Sequence, residues 1–327
     1  MFMTKLKKMK KYLLIILVVL SACNQKKSNV PVVGFVDAFQ DNTIEQAKIG
    51  FIDALKKNGF DEQKGNIKIT YRNAQGSIPT LTQIINYFIS EKVTLIAANA
   101  SLATITAIQK TKSIPIFMMV APTPALMKVL NDKGESPANL FGVAEDLGYI
   151  DTSFLLIPTI IKPKGAPIRV GMIFNQAEPQ SAEAIQRIEQ LAQKNNITLV
   201  SLPVNNSSDA PLVTAALLNK NIDAFFANPD NTVFASFESI VKLCNQSKVP
   251  IFTSEAGLVA RGALVAYGAD IYQWGYQAGG QAALYLKSGN THNLKWEMVK
   301  TRKKVFNPAV AKKYAFTIPA GFEPITP

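Results

Sequence analysis

Val33-Gly34-Phe35-Val36 and Val170-Gly171-Met172-Ile173 are the two stretches on which the reading of this chain turns. Each is an apolar run of strand length. Each leads through a polar loop into an amphipathic helical pattern, over 43–58 after the first and 181–195 after the second. Strand-like runs that alternate with helices are the signature of parallel α/β units. Outward from these two runs, further pairs recur in the same order. Ile67-Lys68-Ile69-Thr70-Tyr71 has its counterpart in Ile197-Thr198-Leu199-Val200-Ser201-Leu202. Leu95-Ile96-Ala97-Ala98-Asn99 is matched by Ala224-Phe225-Phe226-Ala227-Asn228, and Ile114-Pro115-Ile116-Phe117 by Val249-Pro250-Ile251-Phe252. Chance can supply one such match; four in sequence order, all offset by roughly 130 residues, argue for a duplicated unit.

The expected fold is therefore α/β: two Rossmann-like lobes with parallel sheets, joined by a hinge. Residues 32–147 plus about 269–292 are assigned to the N-terminal lobe, and 148–268 plus about 293–327 to the C-terminal lobe. Ligands of open parallel sheets sit beyond the carboxyl ends of the strands, so two facing sheets can line one cleft. Hinge closure around a ligand is the expected motion.

The N-terminus carries an export signal. Five lysines and no acid precede Tyr12, a short apolar run follows from Leu13 to Leu20, and Ser21-Ala22-Cys23 ends it. The run is too short to span a bilayer, which takes roughly 20 apolar residues. Leu20-Ser21-Ala22-Cys23 also fits a bacterial lipobox, so residues 1–22 are expected to be removed and Cys23 to carry lipid. Residues 23–31 read as a tether.

Composition excludes several classes. Cys244, in an apolar helical pattern, is the only other cysteine, so no intrachain disulfide is expected in the mature chain. The single histidine, His292, argues against a His-rich metal site or a Ser-His-Asp enzyme. There is no P-loop and no G-x-S-x-G elbow, and neither cofactor nor metal is expected. Five of the +12 formal charges lie in the signal. The remaining +7 is scattered, with clusters at Lys26-Lys27 and Arg302-Lys303-Lys304. An exported chain has little use for nucleic acid, so a surface near anionic lipid is the simpler reading of that charge.

Several segments resemble the ABC importer substrate-binding proteins of the tryptophan/tyrosine-binding type. They are Gly50-Phe51-Ile52-Asp53-Ala54-Leu55-Lys56-Lys57-Asn58-Gly59, Tyr71-Arg72-Asn73-Ala74-Gln75-Gly76, Asn228-Pro229-Asp230-Asn231-Thr232-Val233 and Gly262-Ala263-Leu264-Val265-Ala266-Tyr267-Gly268. The likeness extends over nearly all of 32–320. It implies a type I periplasmic-binding-protein fold, three interlobe crossovers and amino acids as common ligands. The chain departs from that family's pattern in ligand loops. Asn99-Ala100-Ser101, Val120-Ala121-Pro122-Thr123-Pro124 and Glu145-Asp146-Leu147-Gly148 are all unusual there.

The candidate ligand residues lie at strand ends. Asn99 and Ser101 follow the third strand, and a helix beginning at Ser101 offers unpaired N–H groups to a carboxylate. Asn228, Asp230 and Asn231 hold the equivalent place in the second lobe, where the Asp230 carboxylate suits an ammonium. Ser101 and Asp230 read equally well as plain helix caps. Asn73 and Gln75, like Asn175 and Glu178, offer amide or carboxylate groups in turn-rich loops. Glu255 ends the fourth strand of the second lobe. Phe35, Phe39 and Tyr267 are candidate apolar walls, with Phe35 also fitting the core and Tyr267 the hinge.

The function expected is a lipid-anchored, monomeric solute-binding protein. It would capture a small molecule, an amino acid or similar, and deliver it to the permease subunits of an ABC importer. A ligand-sensing lobe of a membrane signalling protein is the alternative with the same sequence features.

Overall fold

The computed structural model describes residues 30–162 and 167–325. The expected export signal, Cys23 and most of the expected tether lie outside the described residues. The first half lays down β1 (Val32–Asp37), α1 (Asn42–Lys57), β2 (Lys68–Asn73), α2 (Ile78–Ser90), β3 (Leu95–Asn99), α3 (Ser101–Lys110), β4 (Ile116–Pro122) and β5 (Leu140–Glu145). The second continues with α4 (Gly148–Ile160), β6 (Ile168–Phe174), α5 (Pro179–Lys194), β7 (Ile197–Pro203), α6 (Ala210–Leu218), β8 (Ala224–Ala227), α7 (Asn231–Ala235), α8 (Phe237–Gln246), β9 (Ile251–Thr253), α9 (Ala256–Ala260) and β10 (Val265–Ala269). Then come α10 (Ile271–Ser288), β11 (Glu297–Met298), β12 (Arg302–Phe306), α11 (Pro308–Tyr314) and β13 (Glu323–Pro324).

The duplication appears as topology. One sheet runs β11-β5-β4-β3-β1-β2 and the other β13-β12-β10-β9-β8-β6-β7. Within each, the five repeated strands stand in the same spatial order and pair in parallel. Only β12 runs antiparallel, against β10. β1 is buried on both faces because helices cover both sides. Phe35 on this strand packs edge-on against Phe51 of α1, ring centres 5.6 Å apart.

α1 shows why these helices form where they do. Asp41 caps it, accepting from the Thr43 and Ile44 amides, Glu45 sits in the first turn, and Lys56 and Lys57 sit in the last. Ile44, Ala47, Phe51, Ala54 and Leu55 recur at helical spacing and are buried. α10 packs along α1 so closely that backbone meets backbone. A Cβ on Gly50 would stand 2.0 Å from the Tyr272 carbonyl oxygen, and one on Gly275 1.9 Å from that of Ala47.

The chain passes between lobes three times: after β5, after β10 and after β11. The N-terminal lobe reaches further than its expected limit at 292, because Glu297 and Met298 pair with Val143 and Ala144 of β5. A two-residue strand flanked by polar sequence carries too little apolar pattern to be read in advance. The basic cluster also reads differently in three dimensions. Arg302 pairs with Glu145 across the hinge, Lys303 with Asp270 at 2.7 Å, and the Lys304 ammonium lies 5.4 Å from the centre of the Tyr267 ring. The first two of these contacts pin the crossovers to one another, and all three basic residues remain exposed.

Candidate functional site

On the N-terminal lobe the site begins where β3 turns into α3. No side chain caps this helix. Its first amides are left open, with the partial positive charge of a helix start. Ala100, at the cap position, has φ 72° and ψ 163°, backbone normally reserved for glycine. Val120, near the end of β4, has φ 51° at a register break between Met118 and Ala121. A β-branched residue in that region is strained. Ser101 and Val120 line the same interlobe cavity, so the strain sits at its wall.

On the C-terminal lobe the wall is acidic. Glu255 follows β9 and is buried; its Oε1 accepts from the Tyr149 hydroxyl at 3.0 Å, and its Oε2 has no partner. Burial pushes its carboxyl up to about 8. Two further carboxylates, Glu178 and Asp230, lie buried in the loops after β6 and β8, but both are saturated with protein donors. Asp230 Oδ1 accepts from the Thr232 and Val233 amides, and Oδ2 from the Asn175 amide and the Ser181 hydroxyl. Glu178 accepts from the amide and side-chain nitrogen of Asn231, the amide and hydroxyl of Thr232, and the Gln180 side chain. Burial, reinforced by the Asp230 charge, raises the Glu178 carboxyl, and burial likewise raises Asp230.

Between these walls lies a cavity with about 410 Å³ of space not filled by atoms, part of it open to solvent. Val120, Pro122 and Leu147 line it with three aromatic residues, Tyr149, Phe234 and Trp274. Trp274 is fixed by its indole N–H, which donates to the Val143 carbonyl at 2.8 Å. Glu145 reaches the cavity too, but Arg302 holds its carboxylate through two hydrogen bonds, and burial keeps its pKa above the usual range. The arrangement presents groups complementary to a small zwitterion. Helix amides face its anionic end, a carboxylate with a free oxygen faces its cationic end, and aromatic rings face an apolar group.

Of the residues singled out from sequence, Ser101, Asp230, Asn231 and Glu255 line this cavity. Phe39, Gln75, Asn175 and Glu178 line a wider recess between the lobes. The others do different work. Phe35 is fully buried in the N-terminal core. Asn73 closes its own turn, accepting from the Gln75 amide and donating to the Phe39 carbonyl. Asn99 donates to Asp37 and to the Ile44 carbonyl, tying β3 to β1 and α1 inside one lobe. Burial lifts its partner Asp37 to about 6. Asn228 donates to Ser181, likewise within its lobe. Tyr267 sits in β10, its backbone bonded to Ser153 and its ring beneath Lys304, at the hinge. The Asp230 carboxylate already accepts four protein hydrogen bonds as a helix cap and loop tie, whereas Glu255 Oε2 is left without a partner. Tyr149, Gln180, Phe234 and Trp274 were not anticipated. Their signal was position: Tyr149 and Trp274 each fall within the first turn or so after a crossover, where a helix adjoins the cleft.

Two matched lobes that close on one shared cavity define a hinged binding protein. The chain belongs to the ABC transporter substrate binding protein family, whose sequence pattern matches residues 30–322. Such proteins bind solutes outside the cytoplasm and are not enzymes, and no helix among the described residues is long and apolar enough to cross a membrane. The chain is similar to a tyrosine-binding protein of Clostridioides difficile (strain R20291), at 32% identity over 256 residues, 78% of this chain and 72% of the relative. Among solved structures it resembles a conserved domain protein from Vibrio cholerae O1 biovar El Tor. The TM-score is 0.81 at 26% identity, covering 89% of this chain and 97% of that one. It has the same fold as an ABC domain from Streptococcus pneumonia in complex with L-Trp, with TM-score 0.81, 20% identity and coverage of 90% and 99%.

Proposed function

We propose that this chain is a lipid-anchored binding protein for an amino acid with an aromatic or similarly apolar side chain, which it passes to an ABC importer. One observation carries the reading. The open amides at the start of α3 and the unpartnered oxygen of Glu255 belong to opposite lobes and line the same cavity. A ligand with a carboxylate and an ammonium satisfies both, and in doing so it bridges the lobes and holds them closed. The rings of Tyr149, Phe234 and Trp274 supply the apolar wall such a side chain needs. The tyrosine-binding relative and the structural neighbour solved with L-Trp support the same ligand class. Leu20-Ser21-Ala22-Cys23 supports the anchor, and family membership supports delivery to an importer.

Titration calorimetry of the mature chain against the twenty amino acids tests the ligand. L-tyrosine or L-tryptophan should bind at micromolar affinity or better; no heat from any of the twenty removes the reading. For the anchor, Cys23→Ser should move the protein from the membrane to the soluble fraction, and a soluble wild type would remove that part.

A further inference from the structure

Gln180 stands second in α5 and is 6% exposed. Its side-chain nitrogen donates to Glu178 Oε2 at 2.7 Å, while its side-chain oxygen has no partner. The same residue lines the cavity between the lobes. A buried amide oxygen left without a donor is costly, typically about 1–3 kcal/mol, and calls for an explanation.

The orientation of the amide is dictated by its neighbour. Both oxygens of Glu178 face donors only: the backbone and side-chain nitrogens of Asn231, and the amide and hydroxyl of Thr232. In its ionised form a carboxylate held in this way accepts and does not donate, so the nitrogen end of Gln180 turns toward it. Thr232 cannot rearrange to relieve this, because its hydroxyl already accepts from the Asn175 side chain at 2.9 Å. The carbonyl end of Gln180 must therefore point away from Glu178. Asp230 is occupied on both oxygens, and among the fully buried side-chain acceptors of residues that line this cavity from the C-terminal lobe, Gln180 Oε1 and Glu255 Oε2 are without a partner.

We infer that Gln180 is a specificity-determining residue of the site: its carbonyl, aimed by Glu178, accepts an N–H from the ligand's ammonium beside Glu255. This rests on the reading of the cleft as an amino-acid site. An ammonium has three donors, and a lone carboxylate oxygen satisfies one of them well. A neutral carbonyl beside the carboxylate takes a second without adding charge, so the pair selects a primary amine over a ligand whose cation lacks N–H groups. Glu178 acts at one remove, as the positioning residue that prevents the amide from flipping.

The test compares wild type with Q180M and Q180L, which keep side-chain length or volume but present no acceptor. L-tyrosine and L-tryptophan are the probes in calorimetry, and the ligand-free thermal midpoint is read in parallel. The oxygen has no protein partner, but both variants also lose the nitrogen's bond to Glu178 Oε2, so the midpoint should fall by a few degrees at most, the cost of one buried hydrogen bond. The wild type's better-bound probe should weaken about 10- to 150-fold, the usual worth of one hydrogen bond to a charged group, roughly 1.5–3 kcal/mol. Binding within twofold of wild type in either folded variant overturns the proposal. So does a parallel collapse of midpoint and affinity, or failure of both variants to fold, because Gln180 is then structural. A wild type that binds none of the amino acids overturns the ligand reading itself, and this proposal falls with it. Normal wild-type binding with indifferent variants overturns this proposal alone.

Discussion

Arg261 of the C-terminal lobe donates to Asp41 of the N-terminal lobe, Nη1 to Oδ2 at 2.7 Å. The same Nη1 reaches the Thr43 hydroxyl at 2.9 Å, and Nη2 donates to the carbonyl of Phe234, a residue of the cavity wall. The guanidinium thus joins the first turn of α1 to the ligand site across the cleft, a contact available only when the lobes are together. Asp41 Oδ1 separately caps α1, so the two tasks can be separated by mutation.

Asp41→Asn should keep the cap, since Asn caps helices as well as Asp does, and lose the charge at the interlobe contact. Truncating one partner of a close, poorly hydrated charge pair costs about 2–5 kcal/mol, and keeping a neutral hydrogen bond brings the loss to the lower end. Affinity for the cognate amino acid should fall about thirtyfold, with a larger radius of gyration by X-ray scattering at subsaturating ligand. An unchanged dissociation constant would show that the contact contributes nothing to closure.

Binding should depend on pH through Glu255. Its carboxyl sits at about 8 where the lobes bury it, and an ammonium beside it favours the ionised form. Below that value, binding must release a proton. Affinity should therefore rise with pH from 6 to 8, by up to about tenfold per unit, and flatten above. The fold responds in the opposite direction. A carboxyl raised by burial favours the folded state most below its ordinary value of 4.5, and that contribution is lost as pH climbs through about 8. Glu255→Gln should abolish proton release, seen as equal binding heats in buffers of different ionisation enthalpy. A variant that still releases the proton would transfer the role elsewhere.

Asp230→Ala should unsettle the fold more than the ligand. It strips acceptors from three backbone amides and the Ser181 hydroxyl, all buried, at about 1–3 kcal/mol for a buried donor left without a partner. Urea melts should show a lower midpoint, while the residual folded protein binds its ligand within a few-fold of wild type. A selective loss of affinity at unchanged stability would restore Asp230 as the ammonium partner.

Gly50→Ala places a methyl 2.0 Å from the Tyr272 carbonyl oxygen, and the obstacle is backbone. Even though alanine is the better helix former, α1 and α10 must separate, at about 1–3 kcal/mol. Thermal unfolding should show the loss; a stabilised variant would mean that α10 is free to slide.

The lobes were legible because duplication multiplies weak signals. No single run such as Val170-Gly171-Met172-Ile173 fixes a strand, yet four matched runs in order fix a strand sequence, and β1 to β5 share their spatial order with β6 to β10. The site was legible only as a set of places. Asp230 and Glu255 both end strands of the second lobe and look equally suited to a cation. What separates them is which oxygens are left without a partner after the fold has taken its share: neither on Asp230, one on Glu255. Neighbours such as Ser181, 49 residues from Asp230, decide that, and no local pattern reports them. Arg302, 157 residues from Glu145, escaped for the same reason.

The docking of α10 on α1 also sets an order of events during synthesis. α1 ends at Lys57 and α10 starts at Ile271, about 200 residues later. A chain emerging from its N-terminus therefore releases β1 to β5 while one flank of α1 still lacks its cover. All of β6 to β10 must appear before that cover arrives. Closing so long a loop is slow, because the entropy of the intervening chain is lost before the contacts that reward it are made. The N-terminal half is thus the last to be completed. Until then an apolar flank of α1 stays uncovered.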